Sequence, residues 1–348
     1  MIQAKGYATH GPRSNLTPFH FQRREPNEHD VLIDIHYCGI CHSDIHQARD
    51  EWGGSIFPMV PGHEITGVVK QVGKKVSRFR VGDQVGVGCF VNSCGHCQNC
   101  QSTQNQYCLE GITFTYNGHE RDGKTPTYGG YSNLIVVNEA HVLSIPSSLD
   151  LAQAAPLLCA GVTLYSPLKH WGAGPGKKVG IMGLGGLGHV GVKIAKAMGS
   201  HVTVLSHSPH KRTDSLRMGA DQFICTQDSN IFSAHTCSFD LVINTVSADI
   251  DINPYLGLLK LDGTLVSVGV PQKPLSIHPF SVIGMRRRYA GSAIGSISET
   301  QEVLDLCAQF HIAPEIELIT PAQINEAYER VVQNDVRYRF VIDLKKLD

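Results

Sequence analysis

Residues 177–199 read KKVGIMGLGGLGHVGVKIAKAMG and predict the architecture of the second half of the chain. A short apolar run leads directly into a glycine-rich turn, and a helical pattern follows at once. The turn reads G-x-G-x-x-G through Gly183, Leu184, Gly185, Gly186, Leu187 and Gly188. In this strand–turn–helix context the pattern predicts a dinucleotide site, because the backbone can approach a pyrophosphate and the helix N-terminus points at its charge. The alternative is a glycine-rich turn of a parallel sheet without a ligand.

The sequence changes character near residue 150. After that point buried-strand runs alternate with helical segments, which is typical of βαβ units in a doubly wound, Rossmann-type parallel sheet. Before it the apolar runs are short and separated by glycine and proline turns, as in residues 31–37 (VLIDIHY) and 67–72 (GVVKQV), which predicts a compact antiparallel barrel. From about residue 290 helix and strand mix. Pattern alone leaves open whether this stretch closes the second domain or returns to the first.

Composition excludes several classes of partner. The 348 residues carry 30 basic and 31 acidic side chains, so the chain lacks the clustered positive charge on which nucleic-acid binding depends. No run of about 18 apolar residues occurs, as a membrane span would require. The start of the chain, MIQAKGYATHG, has no apolar segment after a charged one. We therefore expect a cytoplasmic protein with no nucleic-acid or membrane partner.

Eleven cysteines are many for a compartment in which thiols stay reduced, so clustered cysteines are expected to hold metal. Residues 94–108 follow a C-x2-C-x2-C-x7-C pattern, which predicts a closed, structural zinc site with four thiolate ligands. The four ligands are Cys94, Cys97, Cys100 and Cys108. An iron–sulfur cluster and a reactive thiol patch are the alternatives. Cys89 lies outside the pattern and is expected to be a small buried apolar residue.

The choice of nicotinamide cofactor is predicted from the end of the strand after the glycine turn. An NAD enzyme needs an acidic side chain there for the ribose 2′-hydroxyl, and no acidic residue occurs from His189 through Thr213. Small hydroxyls at Ser206 and Ser208 leave room for a 2′-phosphate, and Lys211 and Arg212 offer it charge-assisted hydrogen bonds, so NADP(H) is favoured. A solvated basic turn is the alternative.

A second metal site is suggested by two dense polar clusters around Cys41 and His63. One cysteine and one histidine from distant loops, with a further cysteine, would give a Cys2His zinc site with one position open for substrate, as catalytic zinc requires. Cys159 is the candidate third ligand. The alternative for Cys159 is a core residue, because a cysteine in an apolar run is usually buried for packing.

The segments CGICHSDIHQ (38–47) and GHEITGVVKQVGKKV (62–76) resemble the two ligand signatures of the zinc-containing medium-chain alcohol dehydrogenases. The likeness covers essentially the whole chain, and APLLCAGVTLYSPL (155–168) and YRFVID (338–343) are similar to the cinnamyl alcohol dehydrogenase branch with its bacterial broad-range aldehyde reductases. The resemblance implies a GroES-like catalytic domain over 1–150 with a zinc lobe at about 89–115. It further implies a Rossmann domain over 151–289 and a C-terminal segment, 290–348, that returns to the first domain.

The resemblance also implies roles for individual residues. Cys41, His63 and Cys159 match the catalytic zinc ligands, Asp44 a carboxylate that orients His63, and Glu64 a carboxylate behind the metal. Ser43 matches the hydroxyl that bonds the substrate oxygen and His46 the proton relay; a helix cap and a surface histidine are their alternatives. The remaining matches are His42 and Arg339 near the pyrophosphate, Gly291, Ser292 and Ile294 beside the nicotinamide, and Trp52 and Phe57 in the substrate pocket. Packing is an equal alternative for the two aromatic residues.

These assignments predict a zinc-dependent oxidoreductase that interconverts aldehydes and primary alcohols with NADP(H), in the reductive direction by preference. Aromatic, cinnamyl-type or medium aliphatic substrates fit an apolar pocket, and the branch implies a homodimer formed near residues 261–277. The ion supplies a Lewis acid and the nicotinamide the hydride. A zinc-free quinone reductase is disfavoured because all seven ligand positions are present. A zinc- or redox-sensing NADP-binding protein without turnover is the alternative function.

Overall fold

The computed structural model describes residues 1–347. They divide into two compact units. The first contains Met1–Cys159 together with the chain from Ser296 onward, and the second is Ala160–Gly295. Residues 151–159 thus belong to the first unit, because the short helices there pack on its sheet.

Nineteen strands lie in the described residues. In chain order they are β1 (Ile2–Ala8), β2 (Thr17–Arg23), β3 (Asp30–Gly39), β4 (Ile65–Val72), β5 (Gln84–Val87), β6 (Phe90–Asn92), β7 (Thr113–Phe114), β8 (Gly118–His119), β9 (Pro126–Thr127), β10 (Leu134–Asn138), β11 (Leu143–Ser144), β12 (Lys178–Met182), β13 (His201–Ser206), β14 (Gln222–Cys225), β15 (Phe239–Asn244), β16 (Leu259–Ser267), β17 (Arg288–Gly291), β18 (Ile316–Ile319) and β19 (Arg339–Asp343).

The α-helices of the same residues are mostly short. They are α1 (His42–Ala48), α2 (Gln98–Gln101), α3 (Leu151–Ala154), α4 (Ala160–His170), α5 (Gly188–Ala197), α6 (Arg212–Arg217), α7 (Asn230–Ala234), α8 (Asn253–Gly257), α9 (Pro279–Ile283), α10 (Ile297–Gln309) and α11 (Ile324–Val332).

The first unit is built on a seven-stranded, mainly antiparallel sheet with the path β11-β5-β4-β3-β19-β18, and β10 pairs with β3. Val31, Ile33 and Ile35 of β3 are buried in the main core, as expected for alternate residues on one face of a strand, whereas Leu32 packs in a smaller cluster with Leu134 and Val136. Strand β19 pairs antiparallel with β3 and brings the end of the chain beside Cys38 and Gly39. This pairing places Arg339 close to the segment that carries Glu64.

The second unit contains the predicted parallel sheet, which is confirmed with the order β14-β13-β12-β15-β16-β17. The glycine turn connects β12 to α5. Gly183 has φ +90°, and a Cβ on Gly188 would lie 2.0 Å from the carbonyl oxygen of Gly183, so the turn is as tight as the sequence pattern predicts. The N-terminus of α5 therefore lies at the carboxyl end of β12.

No single helix in the described part of the chain is long and apolar enough to cross a membrane. The helical segments Leu151–Leu158 and Ala160–His170 reach the length and hydrophobicity of a membrane span only when they are taken together, and the chain bends between them.

Candidate functional site

The two predicted ligand loops and Cys159 converge in the first unit. Ligand atoms of Cys41, His63, Glu64 and Cys159 all lie within 4.8 Å of one another, and all four residues are buried. The Cys41 and Cys159 Sγ atoms are 4.0 Å apart. Two thiolates at about 2.3 Å from a tetrahedral zinc would be separated by about 3.8 Å, so the donor set fits the ion. Two thiols and an imidazole leave one further position for an oxygen ligand.

The local fold explains how these donors meet. Cys41 follows β3 and caps the N-terminus of α1, while His63 lies just before β4. Cys159 follows a 3₁₀ turn over Ala155–Leu158. Hydrogen bonding from the Cys159 thiol lowers the pKa of Cys41 well below its ordinary value, which favours the thiolate that a metal binds.

Asp44 fixes the orientation of the histidine. Its Oδ1 lies 3.0 Å from His63 Nδ1 and accepts a bond from the backbone N–H of Gly62 at 3.2 Å. Because Nδ1 faces a buried carboxylate, it carries the proton, and Nε2 keeps the lone pair that a metal requires. The role predicted for Asp44 agrees with this geometry.

Glu64 lies beside Cys41, His63 and Cys159, and its buried carboxylate pairs with the buried guanidinium of Arg339. Arg339 donates a hydrogen bond to its Oε1, and the two residues are 4 % and 0 % exposed. Burial, opposed by Arg339, raises the pKa of Glu64 to about 7. Its Oε2 is buried without a hydrogen-bond partner among residues 1–347. A Cβ at position 39 would lie 2.0 Å from this oxygen, so only Gly39 allows the approach.

For Arg339 the structure gives a partner that the sequence did not predict. The resemblance implies a contact with the pyrophosphate, whereas the guanidinium is buried against Glu64. Its first role in this chain is to neutralise that carboxylate, because an unpaired buried charge is costly. A nucleotide contact of Arg339 stays a prediction, as does that of exposed His42.

Ser43 and His46 lie on α1 beside the cluster. The helix begins at His42 with Cys41 as its N-cap, so Ser43 lies inside the first turn and the helix-cap alternative is wrong. The Cys41 Sγ and Ser43 Oγ atoms lie 3.7 Å apart. His46 Nδ1 lies 2.5 Å from Glu51 Oε2, a partner that the sequence did not predict. The acidic Glu51, just after the end of α1, is the sequence signal that could have indicated this contact.

The two aromatic residues predicted for the substrate pocket differ in exposure. Trp52 is 44 % exposed and stacks on His46, with ring centroids 4.8 Å apart. Phe57 is half-buried and follows in the same loop. Trp52 therefore packs on His46, the predicted proton relay, and does not lie in the core.

The four cysteines of residues 94–108 meet as predicted. Their sulfur atoms lie within 4.8 Å of one another, with 3.8 Å between Cys94 and Cys100. Backbone N–H groups point at the thiols: Cys97 N donates to Cys94 Sγ at 3.3 Å, and Leu109 N to Cys97 Sγ at 3.5 Å. The Leu109 bond is the main cause that lowers the pKa of Cys97 to about 6. Four thiolates with no open position fit a structural zinc.

Cys89 differs from its expected role. It is half-buried, its Sγ lies 4.0 Å from the carbonyl oxygen of Leu158, and its thiol interacts with Cys159 and His63. The expectation of a buried core residue is therefore wrong. Cys89 lies in the short connection between β5 and β6.

In the second unit the predicted nucleotide residues gather at the carboxyl edge of the sheet. Ser206 ends β13, and its Oγ accepts a bond from Ser208 N at 3.2 Å. Lys211 Nζ donates to the Leu184 carbonyl of the glycine turn at 2.9 Å, and burial lowers its pKa. Arg212 is exposed, with its guanidinium 5.1 Å from the Phe223 ring centre. Gly291 ends β17, and Ser292 and Ile294 follow it on the same edge.

Comparison with known proteins agrees with both units. The model described as "Alcohol dehydrogenase GroES-like domain" matches residues 27–147, and "Zinc-binding dehydrogenase" matches residues 186–309. NADP-dependent alcohol dehydrogenase C 1 of Mycolicibacterium smegmatis is 57 % identical over 100 % of this chain and 99 % of its own length. Aldehyde reductase YahK of Escherichia coli is 49 % identical over 99 % of each chain.

A solved structure extends the likeness to three dimensions. The structure of CAD from Helicobacter pylori complexed with NADP(H) has 44 % sequence identity, covers 99 % of each chain and superposes with a TM-score of 0.93. Two family models, relatives of about half-identical sequence and a matching structure all point to one group. The chain belongs to the zinc-binding medium-chain alcohol dehydrogenases, as the ligand signatures around Cys41 and His63 indicated.

Proposed function

We propose that the protein is a zinc-dependent, NADP-dependent alcohol dehydrogenase that acts chiefly as an aldehyde reductase. The observation that carries this proposal is the buried donor set of Cys41, His63 and Cys159, separate from the closed site of four cysteines. The first set leaves a position for a substrate oxygen and the second does not. The names of the relatives, an NADP-dependent alcohol dehydrogenase and an aldehyde reductase, support the same reaction.

The residues of this chain have distinct tasks in that reaction. When bound, zinc supplies a Lewis acid for the substrate oxygen and NADPH supplies the hydride. Ser43 Oγ holds the proton for the developing alcohol, at the rim of the thiol cluster. His46 passes a proton between that region and solvent, and its short contact to Glu51 keeps the ring oriented. Asp44 keeps His63 in the tautomer that leaves Nε2 free.

The test of this function is an aldehyde panel assayed with both reduced nicotinamides. Benzaldehyde, cinnamaldehyde and medium-chain aliphatic aldehydes should be reduced with NADPH, and the same protein should contain two zinc ions. Trp52 and Phe57 suit such apolar substrates. An NADPH-binding protein without turnover of any of these aldehydes would contradict the proposal.

We expect Lys211→Ala to raise the KM for NADPH by about 10- to 100-fold, because a charge-assisted bond to the 2′-phosphate is lost. The KM for NADH should change little, since NADH lacks that phosphate. Lys196→Ala is the matched control: this lysine lies in the same unit and pairs with Asp221 at 2.6 Å. Steady-state kinetics with both cofactors measures the effect. Equal changes in both KM values would remove Lys211 from the phosphate site.

Domain roles follow from the same assignment. We propose that the first unit is the catalytic domain, with the zinc lobe at about residues 89–115, and that the second is the coenzyme domain. We also propose a cytoplasmic location. The eleven free thiols support it, since structural disulfides are typical of oxidising compartments.

We further propose a homodimer formed by the second unit. Leu261 and Val270, within residues 261–277, are exposed, as are Phe280 and Ile283 next to the edge strand β17. An exposed sheet edge flanked by apolar side chains is a site for pairing. Light scattering should give about twice the chain mass of 38.0 kDa, and Ile283→Glu should reduce it towards the monomer. A wild-type monomer at micromolar concentration would contradict this assembly.

A further inference from the structure

Asp44 is more than the partner of one histidine. It is fully buried, and its two oxygens accept from Cys41 N at 2.8 Å, Gly62 N at 3.2 Å and His63 Nδ1 at 3.0 Å. A fourth donor is the hydroxyl of Tyr131, 3.2 Å from Oδ2, and buried Tyr116 also hydrogen-bonds this carboxylate. A carboxylate has about four acceptor positions, so the Tyr131 hydroxyl is one of the donors that keep this buried group satisfied.

Tyr131 itself receives a hydrogen bond. The hydroxyl of Tyr328 donates to the Tyr131 hydroxyl at 3.4 Å, and both side chains are buried. Tyr328 lies on α11, near the end of the chain, and Tyr131 lies just before β10. The bonds therefore run in one direction, from Tyr328 through Tyr131 to Asp44 and the His63 ring.

The hydrogen bonds from Tyr328 to Tyr131 and from Tyr131 to Asp44 affect the orientation of the Asp44 carboxylate as well as the packing of the core. A hydroxyl that accepts a hydrogen bond becomes a stronger donor, so Tyr328 strengthens the bond from Tyr131 to Asp44. Without that bond, the carboxylate would lose one of the two tyrosine hydroxyls that bond it and would be freer to rotate away from His63. The His63 ring is also stacked on Tyr116, with centroids 5.8 Å apart, so its remaining freedom depends mainly on Asp44.

We propose that Tyr131 and Tyr328 are positioning residues for the catalytic metal: through Asp44 they hold His63 in the orientation that binds zinc. The inference rests on the proposed function, because it requires a metal at Cys41, His63 and Cys159. It assigns to the C-terminal helix α11 a task at a metal site to which it contributes no ligand.

The test is the rate of zinc release to a colorimetric chelator from the purified full chain. Tyr131→Phe keeps the ring and removes only the hydroxyl. It should release the catalytic zinc about tenfold faster, the lower end of the effect of removing a partner of a metal ligand. Zinc at the four cysteines should leave at the wild-type rate. Tyr128→Phe is the matched control, because Tyr128 lies in the same connection but packs on Phe21, with centroids 4.9 Å apart.

Tyr328→Phe should show a smaller change of the same kind, about threefold, because it acts only through polarisation of Tyr131. The double variant should then release zinc no faster than Tyr131→Phe alone. Cobalt substituted at the catalytic site should report the same order through its visible absorption, a signal that a general loss of stability does not shift. If Tyr131→Phe fails to fold, Tyr328→Phe still tests the chain of hydrogen bonds.

Unchanged release from both single variants, or rates that multiply in the double variant, would overturn the inference. A lower melting temperature with unchanged zinc release and cobalt spectrum would also overturn it, since that result fits packing alone. If the wild-type protein itself yields one zinc, the proposed function fails first, and the two failures are thereby distinguished.

Discussion

Replacing Cys159 with alanine is expected to lower kcat/KM for aldehyde reduction by at least about 10³-fold, because the loss of Lewis-acid stabilisation costs several kcal/mol of transition-state energy. The variant should contain one zinc per chain, held by Cys94, Cys97, Cys100 and Cys108. Cys159 is one of only two sulfur donors in the catalytic cluster, and its Sγ lies 4.0 Å from that of Cys41. Elemental analysis and steady-state kinetics on the same sample measure both effects.

The control for this experiment is Cys225→Ala, since Cys225 is a half-buried free thiol at the end of β14 in the other unit. It should keep both zinc ions and near wild-type turnover. Far-ultraviolet circular dichroism should be the same for both variants. Retained activity in Cys159→Ala would remove this residue from the site, and loss of both zinc ions would mean that the two sites are not independent.

The second large effect is expected from Arg339→Met. Removing the guanidinium leaves Glu64 buried and unpaired beside two thiols, which should lower the free energy of unfolding of the first unit by about 3–5 kcal/mol. The double variant Glu64→Gln with Arg339→Met removes both charges and should recover part of that loss. Urea denaturation followed by tryptophan fluorescence measures the change, with Trp52 as the reporter in the first unit.

Arg330→Met is the matched control for the buried pair. Arg330 lies on α11 and forms partly exposed ion pairs with Glu317 at 2.9 Å and Asp335 at 3.1 Å. Such pairs contribute about 0–1 kcal/mol, so this variant should be close to wild type. An equal loss in both variants would show that the contact of Arg339 with Glu64 has no special weight. No recovery in the double variant would contradict the charge argument.

The elements that the sequence predicts best are local. The glycine turn at 183–188 is determined by neighbours along the chain, since only a tight turn places the helix against the strand. The four cysteines of 94–108 are likewise close enough in sequence for spacing alone to bring their thiols together. The alternation of apolar runs in the second half predicts a parallel sheet, and the six-stranded order confirms it.

The catalytic cluster needs more than spacing. Cys159 is 96 residues beyond His63, and a cysteine in the run APLLCAG has the same local pattern whether it is a ligand or a core residue. Only the resemblance to the family separated those possibilities. For Cys89 the local sequence was misleading in the other direction. A buried core residue was expected there, but its thiol faces the cluster of Cys41, His63 and Cys159.

Contacts between segments far apart in sequence could not be predicted from the local sequence patterns. The pairing of β19 with β3 places Arg339 against Glu64, 275 residues away in sequence. The bond from Tyr328 to Tyr131 spans 197 residues, and no periodicity encodes it. The bond between His46 and Glu51 is local, yet it depends on how the chain leaves α1, which propensity does not determine.

Elemental analysis of the wild-type protein, purified without chelators, shows whether the chain holds a catalytic zinc beside the structural one. We expect two zinc ions per chain, one of which is lost in Cys159→Ala and the other in Cys100→Ala. A single zinc in the wild type that persists in Cys159→Ala and disappears in Cys100→Ala would contradict it, because the buried donors Cys41, His63 and Cys159 would then hold no metal.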